Sequence, residues 1–271
     1  MRSAITNGLL STDITLSDVR GFCSTGNCTF EDYSSLAVCS SVDDVTPSIV
    51  EHCREGRYVT NTGCTYSVPQ LQQSPTWRLD NFTTHDGSPT LWIGASQANG
   101  FPSGPMTLVD FYVLYFPDIS VFSLNFTGNL TASLVALKGS LDLCVKTYRT
   151  TITNGETSTY LVDSQTNLDW HNIPQTLGTN SFTAVSATDA NGIEFWMDQN
   201  TRDTFNSYLA AATFFGDITA SQDPNTPNID TVDGSSDAAS AIGSTLYSGN
   251  LKGIEGLQSL LVNVETSMSN A

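Results

Sequence analysis

The chain is short of positive charge, of histidine and of long apolar runs, and each shortage removes a class of function. Only 10 Lys and Arg stand against 27 Asp and Glu in 271 residues, a formal charge of -17 at pH 7. A surface of that sign repels phosphate backbones and anionic headgroups, which disfavours nucleic acid and acidic bilayers as partners. The three histidines, His52, His85 and His171, leave little for imidazole chemistry. There is no G-x-S-x-G elbow, H-E-x-x-H, P-loop or G-x-G-x-x-G, so the common nucleophile, zinc, nucleotide and dinucleotide signatures are missing and no cofactor is expected. The first ten residues carry no apolar run of signal-peptide length. Nothing in the sequence approaches the roughly eighteen apolar residues of a membrane-spanning helix.

What is present is a 39% hydrophobic fraction, enough for a proper core, and a polar surface built from hydroxyls, with Ser and Thr supplying 67 residues. That bias suits a secreted or wall-exposed protein. Six cysteines, Cys23, Cys28, Cys39, Cys53, Cys64 and Cys144, crowd mostly into one Gly- and Thr-rich stretch. An even count so placed reads as a disulfide framework made in an oxidising compartment. Zinc is the competing reading, since His52 adjoins Cys53, but the spacing lacks paired C-x-x-C knuckles. Six cysteines allow fifteen pairings, and the connectivity stays open. Sequons at Asn27, Asn81, Asn125 and Asn129 mark glycosylation acceptors, in a number that chance supplies at this composition. A disulfide domain needs a route out of the cytosol, and the lack of one in this chain points to an excised domain or a truncated gene model.

The pattern along the chain predicts an α+β fold, largely antiparallel and sandwich-like, in one extracellular domain over 1–271. Residues 1–19 form a weakly amphipathic lead-in. The segment 20–66 is expected to be a disulfide-stapled region with little regular structure, held by crosslinks worth on the order of 3 kcal/mol per fifteen-residue loop. An antiparallel β core is expected over 77–197. In it Leu91-Trp92-Ile93 makes a short strand, and Thr107–Phe116 and Ile119–Phe126 pair across Pro117-Asp118. Asn154-Gly155 and Asn191-Gly192 signal two hairpins. A packed helix over 200–216 presents Phe205, Tyr208, Leu209, Ala212 and Phe215, with Thr201 as cap and Gly216 as stop. The run 217–240 holds five Asp and no Lys, Arg or aromatic residue, and is expected to be an acidic mobile loop. Ile254, Leu257, Leu261, Val264 and Met268 then mark an amphipathic helix over 250–271, leading toward a membrane span.

The run Cys23-Ser24-Thr25-Gly26-Asn27-Cys28-Thr29-Phe30, followed by Ser35-Leu36-Ala37-Val38-Cys39-Ser40-Ser41 and Asp44-Val45, resembles the signature of the fungal domain-of-unknown-function 3176 family of integral membrane proteins. Looser matches are Cys64-x-Tyr66, and Cys144-Val145 with Tyr148 and Asn154-Gly155. The resemblance implies a large extracellular or luminal domain between an N-terminal set of membrane spans and a C-terminal span. It brings no catalytic residues. Relatives place a further Cys where this chain has Val42, and Glu-Cys where it has Lys138-Gly139. Loss of both together is what removal of one complete disulfide would look like, and it requires positions 42 and 139 to be neighbours.

Each catalytic candidate also has a structural reading. A Ser-His-Asp arrangement would draw on His85-Asp86 or Asp169-Trp170-His171, yet Ser and Asp are so abundant that such sets arise freely. A glycosidase pair would come from Asp110 beside Phe111-Tyr112, Glu194 beside Phe195-Trp196, or Asp169 beside Trp170. Glu194 and Trp196 share a strand face by alternation, which suits a small sugar-stacking patch. The run 228–237 lacks the spacing and closing Glu of an EF-hand. The leading expectation is therefore a non-catalytic extracellular domain facing an unknown ligand or wall polymer, with no converging titratable groups. A secreted acidic hydrolase and a glycan-binding module are the alternatives. The module would be marked by an exposed Trp92, Trp170 or Trp196 beside polar side chains.

Overall fold

The computed structural model describes residues 23–53, 64–68, 90–95, 104, 106–115, 117, 134–177, 180–214, 216–222, 229–234, 236–248 and 253–269. The expected lead-in 1–19, the strand Ile119–Phe126, His85, Asp86, Asn81, Asn125 and Asn129 lie outside these.

The strands are β1 (Cys28–Thr29), β2 (Tyr33–Asp44), β3 (Val50–Cys53), β4 (Cys64–Ser67), β5 (Thr90–Ala95), β6 (Thr107–Tyr115), β7 (Val135–Thr153), β8 (Glu156–Gln165), β9 (His171–Leu177), β10 (Asn180–Thr188), β11 (Glu194–Asp198), β12 (Gly216–Gln222) and β13 (Ile229–Gly234). The helices are α1 (Gln199–Tyr208), which continues as a π-helical turn Leu209–Thr213, α2 (Asp237–Ser248) and α3 (Gly253–Ser269). This is the expected α+β, antiparallel architecture with packed C-terminal helices. One eight-stranded sheet runs β1-β7-β6-β5-β12-β13, with β2 and β8 also pairing β7, beside a β11-β10-β9 sheet and a β3-β4 hairpin.

The 19-residue β7 organises the large sheet, because successive stretches of it pair β6, β2, β8 and β1. Its odd-numbered Leu137, Leu141 and Leu143 face the helices together with Val109, Phe111, Val113 and Tyr115 of β6 and Val38 of β2. From the helical side come Leu209, Phe214, Ile242, Leu246, Leu257, Leu261, Val264 and Met268. Phe111 and Phe214 stack at 4.3 Å between centroids. Each such fully buried side chain contributes about 2 kcal/mol by removal from water.

Both Asn-Gly pairs sit in hairpins. Asn154 and Gly155 have φ of 54° and 81°, the double positive φ of a type I′ turn, which matches the twist of β7 and β8. The second hairpin, β10–β11, closes more widely. The Asp189 carboxylate accepts the N–H groups of Asn191 and Ile193 at 2.9 and 2.8 Å, and only Gly192 takes positive φ.

Three expectations are corrected. The segment 20–66 is not irregular: β2 is a 12-residue strand inserted beside β7, with Cys39 bonded to Cys144 and Cys23 to Cys28. Pairing with a long apolar strand overrides the turn-forming composition. The described residues of the run 217–240 are not a loop, because β12, β13 and the start of α2 hold them. Ser236 caps α2 by accepting Ala239 N–H at 3.1 Å. The cap of α1 is Asp198, not Thr201, whose N–H donates to Asp198 Oδ1 at 3.0 Å. Gly216 opens β12, and the π turn rotates the helix so that Ala210 and Phe214 join Leu209 inside.

Candidate functional site

The three-stranded sheet packs one face on the core, and on its other face Ala184 and Ser186 are buried while Trp196 is exposed. Val185 and Ala187 of β10 are fully buried and place one face against the core. Residues opposite one another in antiparallel strands share a face, so the register assigns the other face. Ser186 stands between His171 and Trp196, Thr188 opposite Glu194, Phe182 opposite Gln175, and Ala184 between Ile173 and Asp198. Trp196 is 46% exposed, and the Phe182 ring leans against it at 5.6 Å. Around this pair stand exposed His171 and Glu194 and half-buried Gln175.

Hydrogen bonds set the polar rim. Ser186 Oγ donates to Glu194 Oε1 at 2.8 Å, which holds the carboxylate next to Trp196. His171 Nδ1 lies 3.2 Å from the Asp169 carbonyl. A carbonyl only accepts, so Nδ1 is the donor in this contact. Asp198 is engaged as the α1 cap and Asp189 as the clamp of the β10–β11 loop. An exposed indole with a carboxylate and an imidazole beside it suits an apolar ring face that carries equatorial hydroxyls.

The other acid candidates are placed differently. A bulge at Leu108 sets Thr107, Asp110 and Tyr112 of β6 opposite Asp142, Ser140 and Lys138 of β7, on the face away from the helices. Ser140 Oγ donates to Asp110 Oδ1 at 2.6 Å, and Lys138 Nζ lies 3.4 Å from the same atom. Burial pushes the Asp142 carboxyl above its ordinary 3.8; the Asp110 charge adds to this, while the Thr107 hydroxyl and Lys138 oppose it. Burial, with Asp110 beside it, pushes the Tyr112 phenol up to about 12. Titratable groups therefore do converge, contrary to the expectation of none. Asp110 is only 5% exposed and Ser140 only 4%, however, so the pair is closed to a polymer substrate.

Trp170 is buried in the core and offers no platform. Trp92 lies on β5, with its side chain outside the described residues. His52 lies on β3, also without a described side chain. The Cys23–Cys28 disulfide removes those two sulfurs as zinc ligands, and Cys53 and Cys64 are Cα partners across β3–β4. Asn27 is exposed and its Oδ1 accepts Asn154 N–H at 3.0 Å, so the acceptor nitrogen has a set orientation. Val42 and Gly139 are direct Cα partners, the neighbourhood that a lost disulfide requires.

Alternation alone placed Glu194 and Trp196 together, but Phe182, Ser186 and Gln175 join them only through the β9–β10–β11 register. The Asp110 cluster was missed because Ser140 and Asp142 meet Asp110 and Thr107 only through the long-range pairing of β6 with β7. The period-two spacing of Lys138, Ser140 and Asp142 among leucines was its legible signal. No known protein family, curated protein or solved structure matches this chain.

Proposed function

We propose that this chain is a non-catalytic extracellular domain that holds an uncharged wall glycan on the outer face of its three-stranded sheet. The observation that carries this reading is Trp196, 46% exposed and braced by Phe182 amid Glu194, His171 and Gln175. The charge of -17 repels acidic polysaccharides, in keeping with an uncharged ligand. Disulfides support an oxidising compartment. The hydrolase reading loses support because Glu194, Asp198 and Asp189 each serve a structural bond and Asp110 is buried in its bond to Ser140.

The same reading carries the resemblance to the fungal integral membrane family, with this domain on the outer side between membrane spans. The opposition of Val42 and Gly139 supports a lost disulfide at that place. Titration of tryptophan fluorescence with soluble β-glucan and chitin oligosaccharides tests the ligand. Saturable quenching in the native chain, absent in Trp196→Ala with an unchanged thermal midpoint, is the expected result. No response to either sugar, or equal binding by the variant, refutes the assignment. The full transcript tests the topology, which requires apolar runs of about twenty residues on both sides of the domain.

A further inference from the structure

The sequon Asn27-Cys28-Thr29 has no part in the Trp196 face, yet the fold holds it in a defined place. The Cys23–Cys28 disulfide closes a short loop around Asn27, in which Gly26 N–H donates to Cys23 O at 3.2 Å and Gly26 takes φ of 73°. The Thr25 hydroxyl donates to Asn27 O at 2.9 Å. The loop seats on the β7–β8 hairpin through both residues of its turn. Asn154 N–H donates to Asn27 Oδ1 at 3.0 Å, and Gly155 N–H donates to Gly26 O at 2.9 Å. Only the amide oxygen can accept from Asn154, so the side chain presents Nδ2 away from that contact. Among the described residues nothing takes a hydrogen bond from Nδ2, and Asn27 and Thr29 are both exposed.

We infer that Asn27 carries an N-linked glycan, added before β1 joins the sheet. The inference rests on the extracellular placement of the domain and not on the ligand of Trp196. Transfer forms a bond from Nδ2 to the anomeric carbon of an oligosaccharide and breaks that carbon's bond to the diphosphate of a polyprenyl carrier. The polyprenyl diphosphate leaves, and one amide proton passes to a base of the transferase, with no change in oxidation state. The product keeps one N–H and the whole side-chain carbonyl, so Oδ1 still accepts from Asn154 and the sugar projects into solvent without displacing that contact. The order of events follows from the chain. In the folded state Thr29 is paired with Thr151, and Asn27 is held by Asn154, which lies 127 residues further on. At about 5–20 residues per second, synthesis of that stretch takes on the order of ten seconds, during which β1 has no β7 to pair with and the sequon is open.

The test expresses the full chain behind a secretory leader in a eukaryotic host. Digestion with peptide-N-glycosidase in heavy-oxygen water then leaves a labelled Asp wherever a glycan stood, and peptide mass spectrometry places it. Label at residue 27 in most secreted molecules is expected. It should be kept in Thr29→Ser and in Trp196→Ala, and lost in Thr29→Val, which removes the hydroxyl of the sequon but leaves a β-branched strand residue. An unlabelled Asn27 in chain secreted with both the Cys23–Cys28 and Cys39–Cys144 bridges formed overturns the inference. Failure of the sugar titration at Trp196 would leave this result untouched. The timing is read with unglycosylated chain, either folded and oxidised or unfolded and reduced, offered to the isolated transferase with its polyprenyl-linked donor. Modification of the unfolded chain alone is expected, and equal modification of the folded chain overturns the proposed order.

Discussion

Gly139 has no room for a side chain. A Cβ built there falls inside van der Waals contact with three atoms of the Phe111 ring, which is pinned from the other side by Phe214. Gly139→Ala should therefore cost about 1–3 kcal/mol, read as a lower denaturant midpoint, and Phe111→Leu should recover part of the loss. The same pair explains how the chain fills the space at positions 42 and 139 without a bridge. Asp142 gives a pH-dependent prediction. Its native pKa lies above the 3.8 of the unfolded chain because burial disfavours the charged form. The native state then holds more protons between the two values, so its stability falls as pH rises through that window. Asp142→Asn should remove this fall, leaving the variant relatively more stable at neutral pH than at pH near 3 in paired thermal melts. Tyr112 acts in the same direction at alkaline pH, where stability falls from about 10 toward about 12.

Helix α3 is tied to the sheet by more than its apolar stripe. Glu265 accepts from Ser40 N–H, from Ser40 Oγ at 2.6 Å and from buried Lys146 Nζ at 2.6 Å, and so joins the edge of β2 to β7 through one carboxylate. Glu265→Ala should destabilise by about 3 kcal/mol, because it strands a buried ammonium and an edge N–H together. Chemical denaturation measures this, and Lys146→Met in the same chain should recover much of it. The helix itself was legible: Leu257, Leu261, Val264 and Met268 are buried as their spacing required, with only Ile254 turned to solvent. Strand β2 was not legible, since YSSLAVCSSVDD carries a weak alternation and becomes a strand by pairing with β7 over twelve residues. The acidic stretch after Gly216 misled for a related reason. Its Asp and Ser residues read as loop formers, but Ser236 and Asp237 serve there as a helix cap and first turn.

Across the whole molecule, the Cys39–Cys144 bridge is the main covalent constraint, because it joins β2 to the centre of β7 and closes 105 residues of chain. In the chain-entropy model a loop of that length is worth about 4.7 kcal/mol, against about 2 for one of five residues. Ala substitution of both cysteines should lower the thermal midpoint far more than substitution of Cys23 and Cys28, which close only five residues. Differential scanning calorimetry under non-reducing conditions separates the two. Equal losses would mean that the long bridge acts through local packing with Ala37 and not through the unfolded chain.

The sequence by itself determined the properties that depend on composition and short spacing: negative charge, an oxidised cysteine framework, antiparallel hairpins at Asn-Gly, and the C-terminal amphipathic helix. These follow from local chemistry, which needs no distant partner to act. Pairing over long separations was decided only by the tertiary structure. It set Val42 opposite Gly139, brought Asp110 to Ser140 and Asp142, placed Phe182 and Ser186 beside Trp196, and laid α3 along the edge of β2. Register converts alternation into a surface, and register is settled by which strands meet, a matter of global packing that no window of the sequence contains.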